Sequence, residues 1–154
     1  MGGVHFDRVI SSDLSRAHET AQIIGGGTPI ERDARWREFA FGEWEGLTWD
    51  EIVERWPAAG EYADTAAKRY EPPGGETFDA VCDRVADALR ELRRADHARV
   101  LIVTHAGALH AMMDVLFGQR AGVKSIAGLR FSPGSITRVN IEADGAELLS
   151  LGVE

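Results

Sequence analysis

The chain has 154 residues, of which 44% are hydrophobic and 27% charged, the balance of one folded domain that can bury a core without covalent staples. A single cysteine, Cys82, excludes an intramolecular disulfide framework and points to a reducing compartment. The net charge of −8, from 17 basic and 25 acidic residues, argues against a nucleic-acid-binding surface.

Residues 6–13 (Phe-Asp-Arg-Val-Ile-Ser-Ser-Asp) read as a short strand with a polar end. Leu14, Ala17, Ala21 and Ile24 then recur with helical spacing. Ser12 or Asp13 is the expected N-cap, and Gly25-Gly26-Gly27 the stop. Residues 29–35 read as a second strand, so the order is β-α-β and a parallel sheet follows. Residues 36–46 are irregular and aromatic-rich, with Trp36, Phe39, Phe41 and Trp44. Thr48-Trp49-Asp50-Glu51 is a capping box that opens a short helix closed by Pro57. Residues 58–71 read as a further short helix or a mobile segment, and Pro72-Pro73-Gly74-Gly75 as a loop.

The pattern over 77–94 predicts a long helix with Phe78, Val81, Val85, Leu89 and Leu92 as its buried stripe. Residues 99–104 (Arg-Val-Leu-Ile-Val-Thr) predict a strand covered on both faces. A helix follows His105-Ala106-Gly107 and runs to about Phe117. Residues 135–141 and 146–151 predict an antiparallel hairpin at the edge of the sheet. No apolar run approaches the ~20 residues of a membrane span. The first residues carry no leader pattern, so a cytoplasmic protein without a membrane partner is expected.

In open α/β sheets, ligands bind beyond the carboxyl ends of strands. The first strand ends at Ser11-Ser12-Asp13, with Arg16 in the first turn of the next helix, and a later one ends at His105. A helix N-terminus joined by a guanidinium and an imidazole suits an anion such as a phosphate or carboxylate.

Four segments together resemble the histidine phosphatase (phosphoglycerate-mutase-like) superfamily. Residues 11–21, SSDLSRAHETA, resemble its SSDLxRAxxTA signature, and residues 37–46, REFAFGEWEG, its RExxFGxWEG segment. Residues 73–78, PGGETF, resemble its PGGES helix start, and residues 103–107, VTHAG, its VTHGG motif. The resemblance implies a three-layer α/β/α sandwich with a mostly parallel sheet, one domain over residues 1–154 and a small cap at 47–72. It implies phosphoryl transfer through a phosphohistidine on a small phosphorylated metabolite, with no cofactor and no metal. Arg16, His105 and the backbone at Ala106 would hold the phosphoryl oxygens, and Glu38 would protonate the leaving alkoxide. The short cap resembles the phosphatase branch, with a cofactor-dependent mutase as the alternative.

The sequence departs from the family at its Arg-His-Gly motif, whose histidine is the nucleophile, and which is absent from these residues. His5 and His97 precede their strands, at the end away from the site, while His18 and His110 lie on other helix faces or turns than the site needs. The expectation is an N-terminally truncated phosphatase, impaired in the family route. It would lack the first helix and a central strand lying between the strands that end at Ser11 and His105. A non-catalytic binder of phosphorylated ligands is the second reading. A protein that pairs with another chain, or with its own copy, through exposed sheet edges is the third.

Overall fold

The computed structural model describes residues 4–62, 71–94, 99–118, 129–142 and 145–153. Strand β1 (Arg8–Ser11) leads into helix α1 (Ser15–Ile24) and strand β2 (Ile30–Arg32). Short 3-10 turns at Ala34–Trp36 and Gly42–Trp44 precede α2 (Trp49–Arg55) and α3 (Pro57–Tyr62). The long helix α4 (Phe78–Arg94), β3 (Val100–Val103) and α5 (Ala106–Met113, extended by a π-turn to Gly118) follow. A hairpin of β4 (Ile136–Ile141) and β5 (Ala146–Val153) ends the chain.

The three-stranded sheet has the order β2-β1-β3, with both pairings parallel. Side chains alternate across it as the pleat requires. Val9, Leu101 and Val103 face Ala17 and Ala21 of α1. Ile10, Val100 and Ile102 face a larger cluster built from α4, α5 and the fully buried Trp36. Helices thus cover both faces, which is the α/β arrangement expected. The predicted stripe of α4 sits in the larger cluster, with Ala88 added to it.

Two expectations about the sheet are corrected. β1 and β3 are direct neighbours in register, Val9 opposite Leu101 and Ser11 opposite Val103. Both hydrogen-bonding edges of β1 are therefore occupied, by β2 and β3, and no strand can lie between the strands ending at Ser11 and His105. The hairpin is not an edge of this sheet either. β4 and β5 form a sheet of their own, and Val139 and Ile141 pack against the α4–α5 cluster. Among the described residues, β3 has no strand partner on its far side.

Local corrections have similar causes. β2 stops at Arg32, because Asp33 accepts the Arg35 amide at 2.9 Å and turns the chain into a 3-10 turn. Leu14 occupies the N-cap position of α1 without a side-chain bond. Ser12 instead accepts the Leu14 amide at 3.3 Å and reaches across to β3, while Asp13 is taken by Arg37. The capping box at Thr48 and Glu51 forms as predicted. His97, Lys68, Arg69, Tyr70 and Lys124 lie outside the described residues.

Candidate active site

The parallel register of β1 and β3 brings their carboxyl ends level. The Ser12 amide donates to the Val103 carbonyl at 2.9 Å, so the chain leaves both strands at the same height. From there the imidazole Nε2 of His105 lies 2.9 Å from the Ser12 hydroxyl. Arg16 stands exposed on the first turn of α1, and its charge is felt at His105. Among the described residues its guanidinium has no hydrogen bond or ion pair. Burial first, then the positive charges of Arg16 and Arg84, hold the His105 imidazole below its ordinary proton affinity, against an opposing pull from Glu38. The imidazole thus stands at a strand end within the field of a guanidinium that has no partner among the described residues.

Glu38 arrives from the irregular segment after Trp36. Its Oε1 accepts the Gly107 amide at 2.8 Å and its neighbour's amide, Phe39, at 2.9 Å. Gly107 is the second residue of α5, so the carboxylate sits at that helix's N-terminus, where amides lack intrahelical acceptors and the dipole is positive. A Cβ at residue 107 would collide with Oε1, so the missing side chain of glycine is what admits the carboxylate. The first α5 amide, that of exposed Ala106, has no protein acceptor among the described residues and borders the same space.

The segment carrying Glu38 is fastened from several sides. The Thr104 hydroxyl donates to the Trp36 carbonyl at 2.7 Å. Further along, its loop touches the Pro72–Gly75 loop main chain to main chain. The Glu43 amide donates to the Pro73 carbonyl and the Glu76 amide to the Ala40 carbonyl, each at 2.9 Å. Gly42 adopts φ +53° there, and a Cβ on it would strike the Pro73 and Gly75 backbone. The same close approach accounts for Gly75, where a Cβ would strike the Ala40 carbonyl. At the rim, Arg37 grips Asp13 through two bonds of 2.6 and 2.5 Å.

The structure thus brings Arg16, Glu38, His105 and Ala106 to one place and adds Ser12 as the partner of His105. The other described histidines stand apart from that group, His110 against the Phe131 ring at 4.9 Å and His18 with its Nδ1 buried. Sequence reasoning missed Arg84. Its position inside a helix, flanked by stripe residues, gives no local sign that it serves a segment nearly fifty residues upstream.

The sequence profile of the histidine phosphatase superfamily (branch 1) matches residues 1–154. The chain belongs to that superfamily. It is 35% identical over 121 residues to glucosyl-3-phosphoglycerate phosphatase of Mycolicibacterium vanbaalenii, a match covering 71% of this chain and 53% of that protein. It is 30% identical over 150 residues to the 2,3-bisphosphoglycerate-dependent phosphoglycerate mutase of Methylorubrum extorquens, covering 92% and 70%. The crystal structure of a mycobacterial glucosyl-3-phosphoglycerate phosphatase with VO3 superposes with a TM-score of 0.83 at 28% identity. That superposition covers 96% of this superfamily member and 76% of the solved chain. Among the described residues, no helix is long and apolar enough to cross a membrane.

Proposed function

We propose that residues 1–154 form one domain of a phosphomonoester hydrolase that works through a phosphohistidine, with residues 47–72 as its cap. The observation that carries this reading is the convergence of a half-buried His105 bonded to Ser12, an Arg16 with no partner among the described residues and a helix-anchored Glu38 at the ends of two adjacent parallel strands. A phosphoryl group in that space would meet the Arg16 guanidinium, the His105 imidazole and the free Ala106 amide. All three become stronger partners as charge builds on its oxygens.

In the reaction a histidine nitrogen attacks phosphorus, and the bond to the ester oxygen breaks. The departing alkoxide takes the proton of Glu38. Water then splits the phosphohistidine to give inorganic phosphate, with Glu38 taking a proton from it. His105 binds oxygens in this scheme. The resemblance gives the nucleophile's role to the histidine of an Arg-His-Gly motif, which residues 1–154 lack, and among the described residues no histidine besides His105 stands at the strand ends. A small phosphorylated metabolite is the substrate class. Hydrolysis is favoured over phosphoryl exchange by the shortness of the cap, in which the described residues form α2 and α3.

Vanadate binding measured by thermal unfolding tests the site. Vanadate at about a hundred times its dissociation constant is expected to add ~2.7 kcal/mol of stability. Arg16→Ala is expected to weaken binding about tenfold or more, as loss of a charge-assisted bond does. Absence of any vanadate effect on the wild-type chain overturns the reading. An acid-labile phosphoenzyme on this chain that vanishes in His105→Ala overturns the placing of the nucleophile.

A further inference from the structure

We propose that Arg84, with Glu76, is the positioning residue that sets Glu38 at the N-terminus of α5. The inference rests on the role given to Glu38 above.

A guanidinium has five N–H donors in a rigid plane, and in Arg84 every one is used. Nε and one Nη hydrogen bond the two oxygens of Glu76 at 2.9 and 3.0 Å. The remaining N–H groups donate to the backbone carbonyls of Arg35 at 2.8 Å, Arg37 at 2.9 Å and Glu38 at 3.2 Å. The Arg84 side chain is only 17% exposed, so these bonds form where water competes poorly. Glu76 continues the grip, with Oε2 accepting the Ala40 amide at 3.0 Å. Burial alone would push the Glu76 carboxyl up, but the Arg84 and Ala40 bonds outweigh it and hold Glu76 below the ordinary carboxylate range.

The residues on either side of Glu38 are thereby tied by their main chain to α4, a 17-residue helix whose apolar stripe lies in the core. The segment has no helix or strand of its own at Glu38 to fix it. Lysine cannot replace this arrangement, because a point charge with three donors cannot span a carboxylate and three carbonyls at once. The Arg84 charge also reaches His105, so one side chain places the carboxylate and adds positive potential where the phosphoryl group would lie.

The test follows the Gly107 amide proton by NMR on the whole chain. In the wild type this proton is bonded to Glu38, so its shift follows the ionisation of that carboxyl, and Glu38→Gln abolishes the dependence. Arg84→Met and Arg84→Lys are both expected to abolish it too and to speed Gly107 hydrogen exchange about tenfold or more. The amides joining β1 and β3 are expected to keep their protection, and vanadate affinity to change far less than in Arg16→Ala. Glu76→Gln is expected to give a smaller change of the same kind. An unaltered Gly107 titration in folded Arg84→Met overturns the proposal. Loss of the fold in both Arg84 variants also overturns it, since the role is then general stability. Failure of vanadate to stabilise the wild type removes the functional reading while leaving the Gly107 result to be read by itself.

Discussion

Arg16 and His105 stand at the ends of regular elements, whereas Glu38 stands on a segment with almost none. The first pair is placed by the parallel register of β1 and β3, a repeating backbone pattern that two short apolar runs suffice to specify. Glu38 is placed by single, non-repeating bonds from distant parts of the chain: Gly107, Thr104, Arg84 and Glu76. The first kind of placement tolerates side-chain change, because the ladder needs only backbone. The second fails one contact at a time. The half of the site that holds Arg16 and His105 and the half that holds Glu38 are therefore separable by mutation.

The largest expected effect falls on the irregular half. Trp36 is fully buried between that segment and α4. Trp36→Ala is expected to cost about 3–5 kcal/mol in denaturant unfolding, as truncation of a large core aromatic does. A loss below about 1 kcal/mol would show that the segment is not built around this ring.

Gly107→Ala is next. The added methyl meets Glu38 Oε1, the far end of a side chain, and the Phe39 Cβ at 3.2 Å. The carboxylate is expected to be expelled at a cost of about 1–3 kcal/mol, while Arg16 and His105 still bind vanadate. Parallel loss of vanadate binding would break the separation of the two halves.

The smallest effect is a titration. The folded protein holds His105 below its ordinary value of 6.5, so the unfolded chain binds a proton there that the folded chain refuses. Stability is therefore expected to fall as pH drops below that ordinary value, by an amount that His105→Gln removes. Bound vanadate is expected to raise the His105 titration midpoint, since an anion favours the imidazolium. An imidazole that titrates above its ordinary value in the free chain would contradict the burial and cationic surroundings described above.

The two halves also differed in how well the sequence disclosed them. Helical spacing marked α1 and α4, the capping box marked the start of α2, and an unbroken apolar run marked β3. Each of these depends on neighbours within a few residues. Glu38 was reached only through the resemblance of residues 37–46 to a family segment, whereas Arg16 and His105 were legible in the same way, from their places just beyond strand ends. Strand order was not, because nothing within β1 or β3 states which strand lies beside it, and the expected intervening strand was misplaced for that reason. Ser12 was read as a helix cap because its partner, His105, lies 93 residues away. Arg84 left no mark because a polar residue beside a helical stripe looks the same whether it meets water or five acceptors.

The contact between the Gly42 and Pro73 loops closes a ring in the chain, with residues 47–72 between its two ends. Its two ends meet through backbone atoms and the Glu76 carboxylate on the Ala40 amide, all outside the intervening stretch, so the join does not depend on what the intervening residues are. Lengthening a loop whose ends are already fixed costs only about 0.6 kcal/mol per doubling. The residues between those ends can therefore be extended or trimmed while Glu38, fastened outside them, keeps its place.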